Sequence, residues 1–226
     1  YKKGQPVLKN FNLEIQPGGC LTIHSAGSLT IYENLYLKSP SNDSAAGSII
    51  DYGELLVHGN SHVERFISSN RWWYLTSPVD SAYSSVFDAA DTANHRLFYW
   101  DEPNGTYRQI VHNEFPLFGD SLQNMQGVVI KNLDQDTTLI FEGNLNTGEI
   151  SMLLPRTGGA YKEGFNLIAN PYPSAVDWDH ENWVKTHIDA GIYFRSDGQF
   201  IYYVDGVGIP FMTDGIIPSI QSFWVR

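Results

Sequence analysis

From Phe11 to Arg65 apolar and polar residues alternate in short runs: Leu13-x-Ile15, Leu21-x-Ile23, Leu29-x-Ile31, Leu35-x-Leu37, Ile49-Ile50, Leu55-x-Val57 and Val63. Alternation over so few residues predicts half-buried strands, and Pro17-Gly18-Gly19, Ser25-Ala26-Gly27-Ser28 and Gly59-Asn60 supply the turns. Leu13, Leu21 and Leu29 fall at even spacing. One apolar strand per short unit predicts a β-solenoid over residues 1–67, whose rungs bury a shared core by stacking. A plain antiparallel meander would show the same alternation. Residues Lys38 to Ser48 are small and polar and read as a protruding loop; with one Asp and no Glu they do not read as a calcium site.

Beyond residue 67 the pattern repeats at longer range. Aligning Pro78 with Pro171 places Trp72 on Phe165, Leu75 on Ile168, Ser81 on Ser174 and Ala82 on Ala175. Leu97-Phe98-Tyr99-Trp100, followed by Gly105 and Tyr107, answers Ile192-Tyr193-Phe194, followed by Gly198 and Phe200. Met125-Gln126-Gly127-Val128-Val129-Ile130 then answers Ile220-Gln221-Ser222-Phe223-Trp224-Val225. Three matched blocks in one order mark an internal duplication, with copies at about 70–131 and 164–226. Each copy has an apolar strand stopped by Ser-Pro or Asn-Pro. An aromatic hairpin follows, with type I′ turns expected at Asn104-Gly105 and Asp197-Gly198. A strand pair at 137–154, turning at Asn146-Thr147-Gly148, joins the copies.

The fold class predicted is all-β: a short solenoid-like segment, then a duplicated β-sandwich or jelly-roll-like region over 68–226. Helix is expected in two short places, one capped near Ser174 and Asp177 and running through Trp178, Trp183 and Val184, and a weaker one within Asp80 to Ala93.

Arg71-Trp72-Trp73-Tyr74-Leu75-Thr76-Ser77-Pro78, the run from Phe165 to Trp178, and Gln221-Ser222-Phe223-Trp224-Val225 resemble segments of large secreted Bacteroidetes surface proteins. In these, a β-rich module commonly precedes a C-terminal type IX secretion sorting domain. The resemblance covers about residues 11 to 226 and includes the Leu145-Asn146-Thr147-Gly148 turn. It implies export, a place outside or on the surface of a Gram-negative cell, a structural or adhesin-like role, and neighbouring domains in a longer chain. It carries no catalytic signature. The first residue is Tyr1 and the first methionine Met125, so the chain reads as a processed or excised piece. Asp-Ser and Asp-Thr pairs are similar to the O-glycosylation acceptors of exported Bacteroidetes proteins, which would make Ser44, Ser81, Thr92, Ser121 and Thr137 acceptors. The same pairs are also ordinary turn formers.

Composition narrows the partners. Lys and Arg number 14 against 25 Asp and Glu, a formal charge of −11, which opposes nucleic acid and anionic membrane surfaces. No apolar run is long enough to span a bilayer. Charged residues make up 17%, below the about 25% typical of soluble domains, whereas aromatics reach 14%. Sugar rings stack on flat aromatic faces, so Trp100, Tyr107, Tyr202 and Tyr203, near hairpin ends, are the candidate residues for a glycan or protein partner. Packing is the competing explanation, because consecutive aromatics on a strand point to opposite faces.

Catalytic, metal and cofactor chemistry find little support. Asp177 with Asp179, and Asp101 with Glu102, are the carboxylate pairs a weak hydrolase would need. Yet Asp177 is placed to cap a helix, and Asp101-Glu102-Pro103-Asn104-Gly105 reads as a solvated hairpin end. The seven histidines show no metal-ligand spacing, and Cys20, alone, reads as a small buried residue. The reading is a non-catalytic surface module that needs no cofactor. Its alternatives are an accessory carbohydrate-binding domain of a polysaccharide-degrading enzyme, or a weak hydrolase.

Overall fold

The computed structural model describes residues 12–226 apart from 43, 94–95, 111–121, 133–134, 159–162, 197–198 and 210–213. The fold is all-β. Strands β1 (Leu13–Ile15), β2 (Cys20–Ile23), β3 (Ser28–Ile31), β4 (Leu35–Leu37), β5 (Ser48–Asp51), β6 (Glu54–Val57) and β7 (Ser61–Ile67) wind as a solenoid. β1 pairs with β4, β4 with β7, β2 with β5 and β3 with β6, all in parallel. Parallel pairing is what a solenoid requires and a meander lacks. The evenly spaced Leu13, Leu21 and Leu29 are not successive rungs, however. They lie on the three faces of one coil, and the coil above is reached at Leu35, Ile49 and Leu55.

Ile15, Ile23, Ile31, Leu35, Leu37, Ile49 and Val63 fill the solenoid. At one corner the Asn34 N–H donates to Asn12 Oδ1 and the Asn60 N–H to Asn34 Oδ1, each at 2.9 Å, a ladder that satisfies turn amides from coil to coil. Outside, Tyr36 stacks on His62 with centroids 4.7 Å apart. The coils approach so closely that a Cβ on Gly53 would collide with the Gly27 carbonyl oxygen, and one on Gly59 with that of Glu33. Cys20 is exposed rather than buried, because Leu21 and Ile23 take the inward positions of β2.

The next strands are β8 (Arg71–Leu75), β9 (Leu97–Asp101), β10 (Thr106–Gln109), β11 (Val128–Asn132) and β12 (Thr137–Gly143). β12 pairs antiparallel with β7, from Thr137 opposite Ile67 to Gly143 opposite Ser61, and so covers the last edge of the solenoid sheet. This corrects the expected strand pair at 137–154. Residues 149–154 form no strand, and Ile150, Met152 and Leu154 instead pack onto the second copy's core.

The second copy contains β13 (Asn166–Ala169), β14 (Val176–Asp177), β15 (Ile192–Ser196), β16 (Gln199–Val204), β17 (Val207–Ile209), β18 (Ile216–Ile217) and β19 (Ser222–Val225). The first copy's sheet runs β10-β9-β11-β8 and the second's β16-β15-β19-β13, with β17 added beyond β16. The shared order reproduces the order of the matched sequence blocks. Each copy therefore supplies one sheet, and the two face each other across Tyr74, Val129, Leu167 and Trp224. On its other face the first sheet packs into the solenoid core, a cluster continuous from Ile15 through Leu75, Phe87 and Val128 to Phe141. The change of architecture near residue 67 is not a break in the core.

Local expectations needed three further corrections. The turn after β9 is a 3-10 turn over Glu102–Asn104 closed by Gly105 at φ 58°, not a type I′ turn, because Pro103 fixes a negative φ there. The type I′ signature instead sits at Asp205-Gly206, φ 48° and 79°, between β16 and β17; Asp197-Gly198 lies outside the described residues. No helix forms near Ser174: Val176–Asp177 pairs with Ile216–Ile217, and Trp178 is buried with its Nε1 donating to the Ala190 carbonyl. Of the weaker helix within Asp80 to Ala93, only a 3-10 turn at Ser84–Phe87 forms.

Candidate functional site

The two sheets meet through reciprocal bonds. The Thr76 N–H donates to the Ile220 carbonyl at 3.0 Å, and the Ala169 N–H, its counterpart, to the Met125 carbonyl at 2.9 Å. Leu75 bridges Gln221 just as Ile168 bridges Gln126. Met125 and Ile220, equivalent in the duplication, both hold left-handed backbone at φ 63° and 66°, a strained conformation that presents those carbonyls. Asn146 is buried between the two Pro-stopped strand ends, its Nδ2 donating to the Ser77 carbonyl at 3.1 Å and the Pro171 carbonyl at 3.0 Å. The residue read as a turn former thus bolts the copies together.

Equivalence extends to side chains. Lys131 lies over the Trp72 ring at 5.4 Å, and Arg226 over the equivalent Phe165 at 5.6 Å. Trp72 contacts Phe98, and Phe165 contacts the equivalent Tyr193. At Trp100 the copies differ in a way that changes the seam. In the first, Trp100 crosses the seam, its Nε1 donating to the Phe165 carbonyl at 2.7 Å. There it packs against Tyr107 at 5.2 Å and Trp224 at 5.1 Å. In the second, the register of β15 against β19 puts Arg195 in Trp100's place. Arg195 is exposed beside Phe200, and a cleft of about 260 Å³ opens between it and the outer edge of β8. Arg71, Trp72, Tyr74, Ile201 and Gln221 also line it, and no described carboxylate does.

A family model matches residues 4–203, which is most of the chain, under the description "Domain of unknown function (DUF8693)". The chain belongs to the DUF8693 family. No curated protein and no solved structure matches it. The family match ends at Tyr203, whereas β19 lies between β13 and β15, so the folded sheet of this DUF8693 chain extends past the match.

The four aromatic candidates do not form one platform in this DUF8693 domain. Trp100 and Tyr107 meet edge-on at one half of the seam; Tyr107 remains 39% exposed, and partial burial of its hydroxyl end raises the phenol above its ordinary value. Tyr202 is partly exposed on β16 and touches Tyr193. Tyr203 is not reachable: it points to the opposite face, is 3% exposed and belongs to the second copy's core. The residues that line the open cleft, Trp72, Arg195 and Gln221, were not among the candidates. Laying the copies side by side could have found them, since the tryptophan-to-arginine difference is visible in the alignment.

The carboxylate pairs are each engaged by the chain itself. Glu102 is buried, not solvated, and accepts from Thr157 N–H and Oγ1 and from the Gly164 N–H at 2.9 Å. It fixes the first copy's hairpin to the chain entering β13. Glu102→Ala is expected to cost about 1–3 kcal/mol in urea unfolding, because the buried Gly164 N–H is left without an acceptor and the exposed Thr157 loses its anchor. Glu102→Gln, which keeps one oxygen, should cost less. Asp101 pairs with Arg108, so the two neighbouring acids point to different partners. Asp177 lies at the end of β14 and accepts the Asp179 N–H at 3.0 Å, a local turn in place of the helix cap.

Asp179 in turn accepts from the Tyr203 hydroxyl. This bond, then burial and the charges of Asp179, Asp177 and Asp214, pushes the Tyr203 phenol up to about 12 from 10.0. A raised phenol favours the fold while protonated. Its contribution is fully present below pH 10.0 and is lost as pH rises through about 12. Tyrosinate absorbance should show this late step in the native protein, and Asp179→Asn should bring it back toward the ordinary range; an unchanged profile in that variant would contradict the contact.

Among the described residues no group of three His, Cys, Asp or Glu side chains could hold a metal ion. No described helix is long and apolar enough to cross a membrane, which says nothing of β-barrels. Of the hydroxyl candidates for glycosylation, Ser44, Ser81 and Thr92 are exposed, Thr137 is half-buried at the start of β12, and Ser121 lies outside the described residues. Two of the preceding acids have structural work: Asp91 pairs with Arg96, and the Ser69 N–H, then its hydroxyl, hold the Asp136 carboxyl below its ordinary value.

Proposed function

We propose that this chain is a non-catalytic module of an exported bacterial surface protein, with a structural role: it holds neighbouring domains apart and presents an adhesive face to a glycan or protein. The observation that carries the reading is the core that runs unbroken from the solenoid coils into the first sheet of the sandwich. Spacing requires stiffness, and a joint filled by packed apolar side chains resists bending as the interior of one domain does. The sequence resemblance to secreted surface proteins supports the location.

Thermal unfolding followed by far-UV and tryptophan signals tests the spacer role. One coincident transition is expected, and two separated transitions would overturn it. Protease treatment of intact cells of the source bacterium tests the location: the protein should be cleaved without lysis. Intact mass of the exported protein tests the exposed acceptors Ser44, Ser81 and Thr92; an unmodified mass would remove glycosylation from the reading.

A further inference from the structure

The open cleft and the closed half of the seam are two versions of one site. In the closed half, the Trp100 indole lies across the seam and donates to the carbonyl of Phe165 on β13. In the open half, the equivalent carbonyl belongs to Trp72 on β8, the edge strand of its sheet. Gln221 Nε2 donates to the Tyr74 carbonyl on the outer edge of β8, and carbonyls two residues apart on a strand point the same way. The Trp72 carbonyl therefore faces the cleft. Where the closed half has an indole, the open half has the exposed Arg195 guanidinium, with Arg71 on the opposite wall.

We propose that this cleft binds an anionic saccharide, holding one hexuronic acid residue of a polysaccharide. Its ring lies against Trp72, which lines the cleft and is 45% exposed, beside the carbonyl that is the counterpart of the one Trp100 bonds in the other half. A ring hydroxyl donates to the Trp72 carbonyl, and the carboxylate pairs with Arg195, whose planar fork suits two-point contact with a carboxylate. The cleft volume of about 260 Å³ lies under the roughly 300 Å³ at which small-molecule pockets begin, so it suits a single ring rather than a length of peptide. Charge adds selectivity. At a net charge of −11 the molecule repels polyanions in general, and a cleft that carries the exposed Arg195 and is lined by no described carboxylate is a local exception. The inference rests on the adhesive part of the proposed role and not on the spacer part.

The test titrates the 226-residue chain with oligosaccharides of galacturonate, glucuronate and mannuronate, with neutral oligogalactan, and with a peptide rich in Asp and Trp. Calorimetry and tryptophan fluorescence read the binding. Saturable binding of at least one uronate oligosaccharide is expected, with the neutral sugar about tenfold weaker or more, the loss of one charge-assisted contact. Arg195→Ser should weaken the uronate by a similar factor. Arg195→Trp, which places the first copy's residue in the second copy, should abolish binding and leave the unfolding midpoint no lower. The site is overturned if no uronate saturates the wild type, if both Arg195 variants bind it undiminished, or if the peptide binds more tightly than every sugar. A single unfolding transition alongside any of these results would leave the spacer role standing.

Discussion

Phe141→Ala is expected to lower the unfolding free energy by about 3–5 kcal/mol, the range for deleting a buried phenylalanine side chain. Phe141 is 1% exposed on β12, the strand that covers the solenoid, and meets Phe87 edge-on at 6.1 Å. Phe87 lies in the first copy, so the lost contact belongs to both architectures at once. The whole transition should therefore move, by on the order of 10 °C, and remain single. A variant in which the sandwich keeps its midpoint while the solenoid melts early would show that the shared core does not couple the two parts.

The second large effect lies at the ion pair of Asp91 and Arg96. Asp91 is 1% and Arg96 9% exposed; Arg96 Nε lies 2.9 Å from Asp91 Oδ1, and the Arg96 backbone N–H donates to Asp91 Oδ2. Asp91 is shielded from water and Arg96 nearly so. Asp91→Ala should cost about 3–5 kcal/mol, because it takes the paired carboxylate away from a largely buried cation. The double change Asp91→Leu with Arg96→Met should recover most of that loss, since no uncompensated charge is left. Urea unfolding of the two singles and the double forms the cycle. A double variant as unstable as the sum of the singles would show that the pair does not act as a unit.

The β-class, the solenoid and the duplication were legible because each rests on a periodicity that short windows of sequence carry. The coil geometry was not. Face-to-face and coil-to-coil repeats both appear as recurring apolar runs, and the loop from Lys38 to Ser48 obscures the longer one. Glu102 looked solvated because its neighbours are polar turn residues, whereas the donors that bury it come from Thr157 and Gly164, far along the chain. Tyr202 and Tyr203 had to point opposite ways on a strand, but only the second copy's core decides that Tyr203 turns inward. Cys20 was legible and misjudged: alternation with Leu21 already placed it outside.

The paired bonds from Thr76 to Ile220 and from Ala169 to Met125 are those that two identical subunits form about a dyad, where each contact must occur twice. A symmetric dimer of such a unit could only have both of its seam sites closed or both open. Here the two units belong to one polypeptide of 226 residues, and each can change alone. Trp100 seals one end of the seam while Arg195 leaves the other accessible. Covalent fusion has turned a self-complementary interface into one with a fixed side and an adaptable side.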